Sequence, residues 1–301
     1  MTRVDILMCT FRRPQVVDTI ASLSRLRAPQ GCALRLVVAD NDETDSARAS
    51  VIEAARGLPF EGIYQHAPSR NISVARNACL EIATAGRADW IASIDDDERA
   101  DPDWLLELLA AATGSGADCA IGKVIADYPA ETPHWVRQLD YHSSFPEREA
   151  NPTADSGNSL IRWNGMPWQD QRYDVSRGTT GGEDTEFFLR LERMGMRKVA
   201  APSAVTREEV PPVRQTLDWM ALRRFRMGQT HVVHARSRQD KLLMLGSAGL
   251  KAAYCHLRAR MSASDEVARN FWFLRGQLHR GVVNQLTTGA PQLQLYGQDP
   301  S

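Results

Sequence analysis

Short apolar runs alternate with stretches of helical period along the first 125 residues. Val4 to Cys9 is an apolar run that stops at Thr10, and Arg13-Pro14 then leads into Val16, Val17, Ile20 and Leu23, the spacing of a helix with one buried face. The same alternation recurs three times. Leu34 to Ala39 predicts a strand closed by Asp40-Asn41-Asp42, with a helix over Ser46 to Ala55. A weaker strand at Ile63 to Gln65 precedes a helix over Asn71 to Ala85, with Ile72, Ala75, Cys79 and Ile82 on its buried side. Trp90 to Ile94 runs directly into Asp95-Asp96-Asp97-Glu98, Pro102 opens a helix over Asp103 to Ala112, and Asp118 to Val124 gives a fifth strand.

Such alternation predicts an α/β fold with a mostly parallel sheet covered by helices on both faces, and ligands in these folds bind at the carboxyl ends of the strands. The acidic clusters fall at those ends. From Tyr128 to Arg177 the pattern breaks into Pro- and Trp-rich sequence (Pro129, Pro133, Trp135, Pro146, Pro152, Trp163, Pro167, Trp168), read as loops and short strands over the site. After Pro211-Pro212 the chain turns helical, with Leu217, Met220, Phe225, Phe271, Phe273, Leu274 and Leu278 spaced among arginines. The expected organisation is one α/β domain over 1–210, with a strand-helix half (1–125) and a loop-rich half (126–210), followed by a basic helical region over 211–301.

Charge sharpens that division. The net charge is −1, yet residues 211–285 hold thirteen Arg or Lys against four Asp or Glu. This basic region is either a solvated helix face or a contact with an anionic membrane surface. No recognisable nucleic-acid module accompanies it, which argues against a nucleic-acid partner. The start of the chain reads as neither signal peptide nor membrane anchor, and the five cysteines lack any CxxC pairing, so the expected location is cytoplasmic, with free thiols.

Three carboxylates in succession, Asp95, Asp96 and Asp97, repel one another unless a cation neutralises them, and hard oxygen ligands favour Mg²⁺ or Mn²⁺. An acidic loop capping the following helix fits them equally well. Gly181-Gly182-Glu183-Asp184 places an acidic pair at the start of an apolar helix, as a cap or as a general base. Asp40 is either an Asx turn or an acceptor for a nucleotide, and Thr10 and Arg12 either form a plain turn or line the same crevice. No GxGxxG follows the first strand, which excludes a dehydrogenase-type dinucleotide site.

The ordered series Cys9-Thr10-Phe11-Arg12-Arg13-Pro14, Val38-Ala39-Asp40-Asn41, Asn71 to Asn77, Asp95-Asp96-Asp97-Glu98 and Gly181 to Phe188 resembles that of the family 2 glycosyltransferases. Arg223 to His231 and Gln294-Leu295-Tyr296-Gly297 resemble the succinoglycan-type exopolysaccharide β-1,4-glucosyltransferases within it. The resemblance implies a GT-A fold, with Rossmann-like topology, and an inverting transfer of a hexose, glucose foremost, from a UDP-sugar. The implied acceptor is a polyprenyl-diphosphate-linked oligosaccharide at the inner face of the cell membrane. The resemblance thereby makes 1–210 the catalytic domain, with 1–125 its nucleotide-binding and 126–210 its acceptor-binding half, and the basic helices a contact for the anionic membrane surface. It implies that Thr10, Arg12 and Asp40 hold the uridine, that Arg76 faces the phosphates, and that Asp95 to Asp97 form a DXD-type motif with Asp95 and Asp97 on a divalent metal. It further implies Asp184 as the base, with Glu183 as its orienting partner. Related enzymes carry a His near the Glu-Val-Pro segment; Arg207 stands there in this chain, a phosphate clamp and not a metal ligand, with Glu208 the alternative ligand. The competing reading is a degenerate relative that serves only as a nucleotide-binding scaffold.

Overall fold

The computed structural model describes residues 1–148, 156–235 and 237–289, so Pro152 and Gln294 to Gly297 lie outside the described residues. The described residues divide into two compact units: Met1–Ala126 with Ser143–Glu208, and Asp127–His142 with residues 209–235 and 237–289.

The first unit is built on one eight-stranded sheet. Its strands are β1 (Thr2–Thr10), β2 (Cys32–Asp40), β3 (Glu61–His66), β4 (Trp90–Ile94), β5 (Glu98–Ala100), β6 (Cys119–Asp127), β7 (Asn158–Arg162) and β8 (Lys198–Glu209). They lie in the order β3-β2-β1-β4-β7-β6-β8-β5. Pairing is parallel across β3, β2, β1 and β4, and antiparallel at β4-β7, β6-β7 and β5-β8. The sheet is therefore mixed. Its parallel half is the part generated by strand-helix alternation.

Alternation along β1 assigns its side chains to two cores. Val4, Ile6 and Met8 pack with Val16, Ile20 and Leu23 of α1 (Val16–Leu23) and with Trp104, Leu105 and Leu108 of α4 (Trp104–Ser115). Leu7 faces the opposite core, built from Ala75, Cys79 and Leu80 of α3 (Ile72–Ala85) and Phe187, Phe188 and Leu191 of α6 (Glu183–Arg193). A sheet buried on both faces explains why β1 and β2 read as nearly continuous apolar runs. Buried Asn158 pins the antiparallel half: it accepts from Trp104 Nε1 (2.8 Å) and donates to the carbonyls of Lys123 and Ala204 and the Thr206 hydroxyl.

The second unit is helical. It comprises α5 (His134–Leu139), α7 (Leu217–His231), α8 (Arg238–Met261) and α9 (Glu266–Thr288), around a small core of Trp135, Val136, Met220 and Leu274. A Cβ on Gly228 would collide with the Leu278 carbonyl, so this close crossing of α7 and α9 requires glycine there. His142 is 6 % exposed and stacks on Trp219 with ring centroids 5.5 Å apart. Burial, reinforced by the nearby Arg223, pushes its pKa down to about 4.

Unfolded, this imidazole takes up a proton near pH 6.5, whereas folded it stays neutral until about 4, so stability is lost as pH falls through that window. His142→Phe should flatten the decline between those pH values by up to about 3 kcal/mol, read from denaturant unfolding of both proteins across that range.

Candidate active site

The carboxyl ends of β1, β2 and β4 bring together three of the expected motifs. At the end of β1, Thr10 is buried and Arg12 adopts a left-handed backbone (φ 51°) that turns its side chain toward β2, where Nε donates to Asp42 Oδ1 at 2.9 Å. Asp40 itself is wholly buried. Its oxygens accept from Tyr64 Oη (2.7 Å) and from the backbone amides of Asp42 and Ala47. A nucleotide base bound to Asp40 would have to replace one of those partners. Asp42, singled out from sequence only as part of a turn, is the residue that holds Arg12.

At the end of β4 the acidic triplet is held from two sides. Thr19 of α1 donates to the Asp96 carbonyl (3.0 Å), and Arg13 bridges Asp96 (3.1 Å) and Asp97. Loss of hydration pushes the Asp96 carboxyl up to about 7 despite Arg13. Asp95 is solvent-accessible yet closely surrounded by protein, and the lost hydration together with Asp97 raises its pKa. Glu98 is 3 % exposed, its Oε2 lacks a hydrogen-bond partner, and burial followed by Asp95 raises its pKa well above the usual carboxylate value.

β5 and β8 extend this cluster. Glu98 lies opposite Glu208 and Arg99 opposite Arg207. Neighbouring positions on a strand point to opposite faces, and Arg207 Nε reaches Asp101 at 3.3 Å, while Glu208 contributes to the negative field at both Glu98 and Arg13. Of the two residues considered for the position near the Glu-Val-Pro segment, the carboxylate is the one that joins the acidic cluster.

The second acidic motif reaches the site through α6. Gly181 and Gly182 have φ of 85° and 83°, a conformation that side-chain-bearing residues rarely adopt, and together they start the helix at Glu183. Glu183 is buried against Arg76, an ion pair between α3 and α6, with Glu183 Oε2 left unpartnered. Burial alone would lower the pKa of Arg76, but Glu183, Tyr173, Asp184 and Asp95 together raise it. The Arg76 guanidinium is thus engaged by Glu183 through Nη1. Asp184, partly exposed beside it, accepts from its neighbour's amide, Thr185 N, at 2.6 Å.

Asn71 and Asn77 hold the loop that leads into these glycines. Asn71 caps α3 and donates to the Val175 carbonyl (2.9 Å), while Asn77 exchanges hydrogen bonds with the backbone of Tyr173 (3.0 and 2.7 Å). Both lie in the motif quoted from sequence, where only Arg76 received a role. Their polarity on an otherwise amphipathic helix was the available signal.

The donor set suits a hard divalent cation: clustered carboxylates with raised pKa and an orphaned carboxylate oxygen are relieved by positive charge. Arg13 supplies that charge at Asp96 and Asp97. Among the described residues no group of three or more His, Cys, Asp or Glu is already gathered in metal-binding geometry. Asp95 and Asp97, with Glu208 beside them, are the residues that could close around a cation once Arg13 turns away.

The Glycosyl transferase family 2 profile matches residues 5–182. The succinoglycan biosynthesis protein ExoM of Rhizobium meliloti (strain 1021) is 38 % identical over 299 residues, covering 98 % of this chain and 96 % of that protein. The mannosyltransferase PcManGT from Pyrobaculum calidifontis, solved with GDP-Man and Mn²⁺, superposes with a TM-score of 0.59 at 17 % identity, covering 94 % of this chain and 87 % of the other. Residues 1–349 of S. aureus TarS with UDP-GlcNAc give a TM-score of 0.53 at 13 % identity, with 96 % and 92 % coverage. These neighbours have the GT-A fold.

The Arg76–Glu183 pair permits a direct test of its structural role. Removing one partner by Arg76→Met leaves a buried, uncompensated carboxylate and should cost about 3–5 kcal/mol, whereas Arg76→Met with Glu183→Leu should restore most of it. Thermal unfolding of the two variants separates these outcomes.

Proposed function

The chain belongs to glycosyl transferase family 2, and from that premise we propose that it moves a hexose, glucose foremost, from a UDP-sugar onto a lipid-diphosphate-linked oligosaccharide, with inversion. The reading is supported most by one observation: the Arg13-latched triplet Asp95 to Asp97 lies within electrostatic reach of the Arg76-held pair Glu183-Asp184, with Asp95 feeling both Arg76 and Asp184. The nucleotide sugars bound by PcManGT and TarS support a donor of that class, and the name of the R. meliloti relative supports bacterial exopolysaccharide assembly. In this reading the protein works on the cytoplasmic side, peripheral to the membrane.

Asp184 acts as the base. It takes the proton of the acceptor hydroxyl as that oxygen attacks the anomeric carbon, on the side opposite the departing UDP. Glu183, fixed by Arg76, holds the first turn of α6 and so keeps the Asp184 carboxylate aimed. Thr10, Arg12 and the turn organised by Asp40 form the uridine side. Asp95 and Asp97, assisted by Glu208, would hold Mg²⁺ or Mn²⁺, which when bound offsets charge developing on the diphosphate. Arg13, once displaced from Asp97, is free to add its own charge to that diphosphate.

Asp184→Asn should lower transfer to the acceptor at least about a hundredfold while UDP-sugar affinity stays unchanged; retained transfer would remove Asp184 from the chemistry. Glu208→Gln should weaken metal-dependent UDP binding by about tenfold or more, and Arg207→Gln should leave it unchanged. Equilibrium titrations of the two variants with UDP and Mn²⁺ distinguish the carboxylate from its neighbour.

A further inference from the structure

Helix α8 has its apolar residues on the wrong side for a helix of a water-soluble unit. Toward α9 it buries the small residues Ala248 and Cys255, the latter close to Gly276. Outward it exposes Leu243 (67 %), Leu250 (76 %), Tyr254 (52 %), Leu257 (57 %) and Met261 (70 %), with Leu242 (70 %) alongside. These five recur at three-, four- and seven-residue steps, so they form one stripe along a single face, about 27 Å long. A continuous exposed apolar face of this length marks an interaction surface.

The charges beside the stripe select its occupant. By helical position exposed Lys251 flanks one edge and exposed Arg260 the other, with Arg238 and Lys241 in the first turns, while Arg258 beside Lys251 holds its guanidinium over the Trp272 ring at 5.0 Å. No acidic residue follows Asp240 in the helix. Paired in register, two copies of this stripe would set Lys251 and Arg260 against the same residues of the partner helix, with no carboxylate after Asp240 on α8 to relieve the repulsion. An anionic lipid surface satisfies both features: it takes up the leucines below the headgroups while the lysine and arginine heads reach the phosphates. No helix among the described residues is long and apolar enough to cross a membrane, so the mode is in-plane docking.

We propose that α8 is a membrane-docking helix that inserts Leu243, Leu250, Tyr254, Leu257 and Met261 into an anionic leaflet. This deepens the peripheral location given above but stands on the helix alone, and its test uses binding without turnover.

The full chain is sedimented with vesicles of phosphatidylcholine, with or without about 30 % phosphatidylglycerol. Wild type should bind the anionic vesicles at least about tenfold more tightly than the neutral ones. Part of that binding should persist in about 1 M salt, where charges are screened within about 3 Å. Leu250→Glu with Leu257→Glu should weaken binding to anionic vesicles by about tenfold or more, with the circular dichroism and UDP affinity of wild type retained. Lys251→Gln with Arg260→Gln, both exposed, should remove mainly the salt-sensitive part. Equal binding of wild type and the Leu250/Leu257 variant would overturn the proposal. So would a vesicle-free dimer, seen by sedimentation velocity, that the same two substitutions split, since the stripe would then belong to a second copy. Loss of UDP binding by wild type would instead count against the transferase reading and leave the lipid result standing.

Discussion

Four carboxylates at the end of one short strand, Asp95 to Glu98, cannot all be ionised side by side without positive charge among them, and much of the first unit is arranged around that constraint. Parallel pairing of β1 with β4 delivers Arg13 to Asp96 and Asp97. The antiparallel partner β8 adds a fifth carboxylate, Glu208, opposite Glu98, which deepens the negative field. Burial first, and the neighbouring carboxylates after it, raise the pKa values of Asp95, Asp96 and Glu98. A cluster arranged in this way would be relieved by a cation, which is the role the proposed function gives it.

The second acidic motif is handled differently. Glu183 has a dedicated buried arginine, Arg76, and the glycine pair before it sets the start of α6, so that Asp184 sits beside the ion pair without belonging to it. Asn71 and Asn77 tie the preceding loop to the same helix that carries Arg76. One helix, α3, thereby fixes both the ion pair and the approach to it. Division of labour between a fixed carboxylate and a freer neighbour is what proton abstraction by Asp184 would need.

Elements formed by local period were legible in the sequence. Trp90 to Ile94 coincides with β4, and the predicted helix over Asn71 to Ala85 differs from α3 only in that Asn71 is its cap. Elements defined by distant partners were not. β5 is three residues long and reads as part of the acidic run, and β8 is a strand only because β5 and β6 flank it in the sheet. The roles of Arg207 and Glu208 depend on that same pairing: adjacent in sequence, they are separated by strand alternation, which composition cannot reveal. The candidate residues Thr10, Arg12, Asp40 and Asp95 to Asp97 stand out in the sequence because they follow apolar runs, and parallel pairing of β1, β2 and β4 brings those turns to one end of the sheet. The partners that hold them, Asp42, Tyr64 and Arg13, emerge only from the packed structure.

The central claim is that the acidic cluster is a cation-dependent nucleotide site in which Arg13 stands in for the cation. Calorimetric titration of the full chain with UDP, in Mn²⁺ and in EDTA, tests it most directly. The account predicts UDP binding in Mn²⁺ that is lost in EDTA. Equal binding in the two conditions, or none in either, would contradict it.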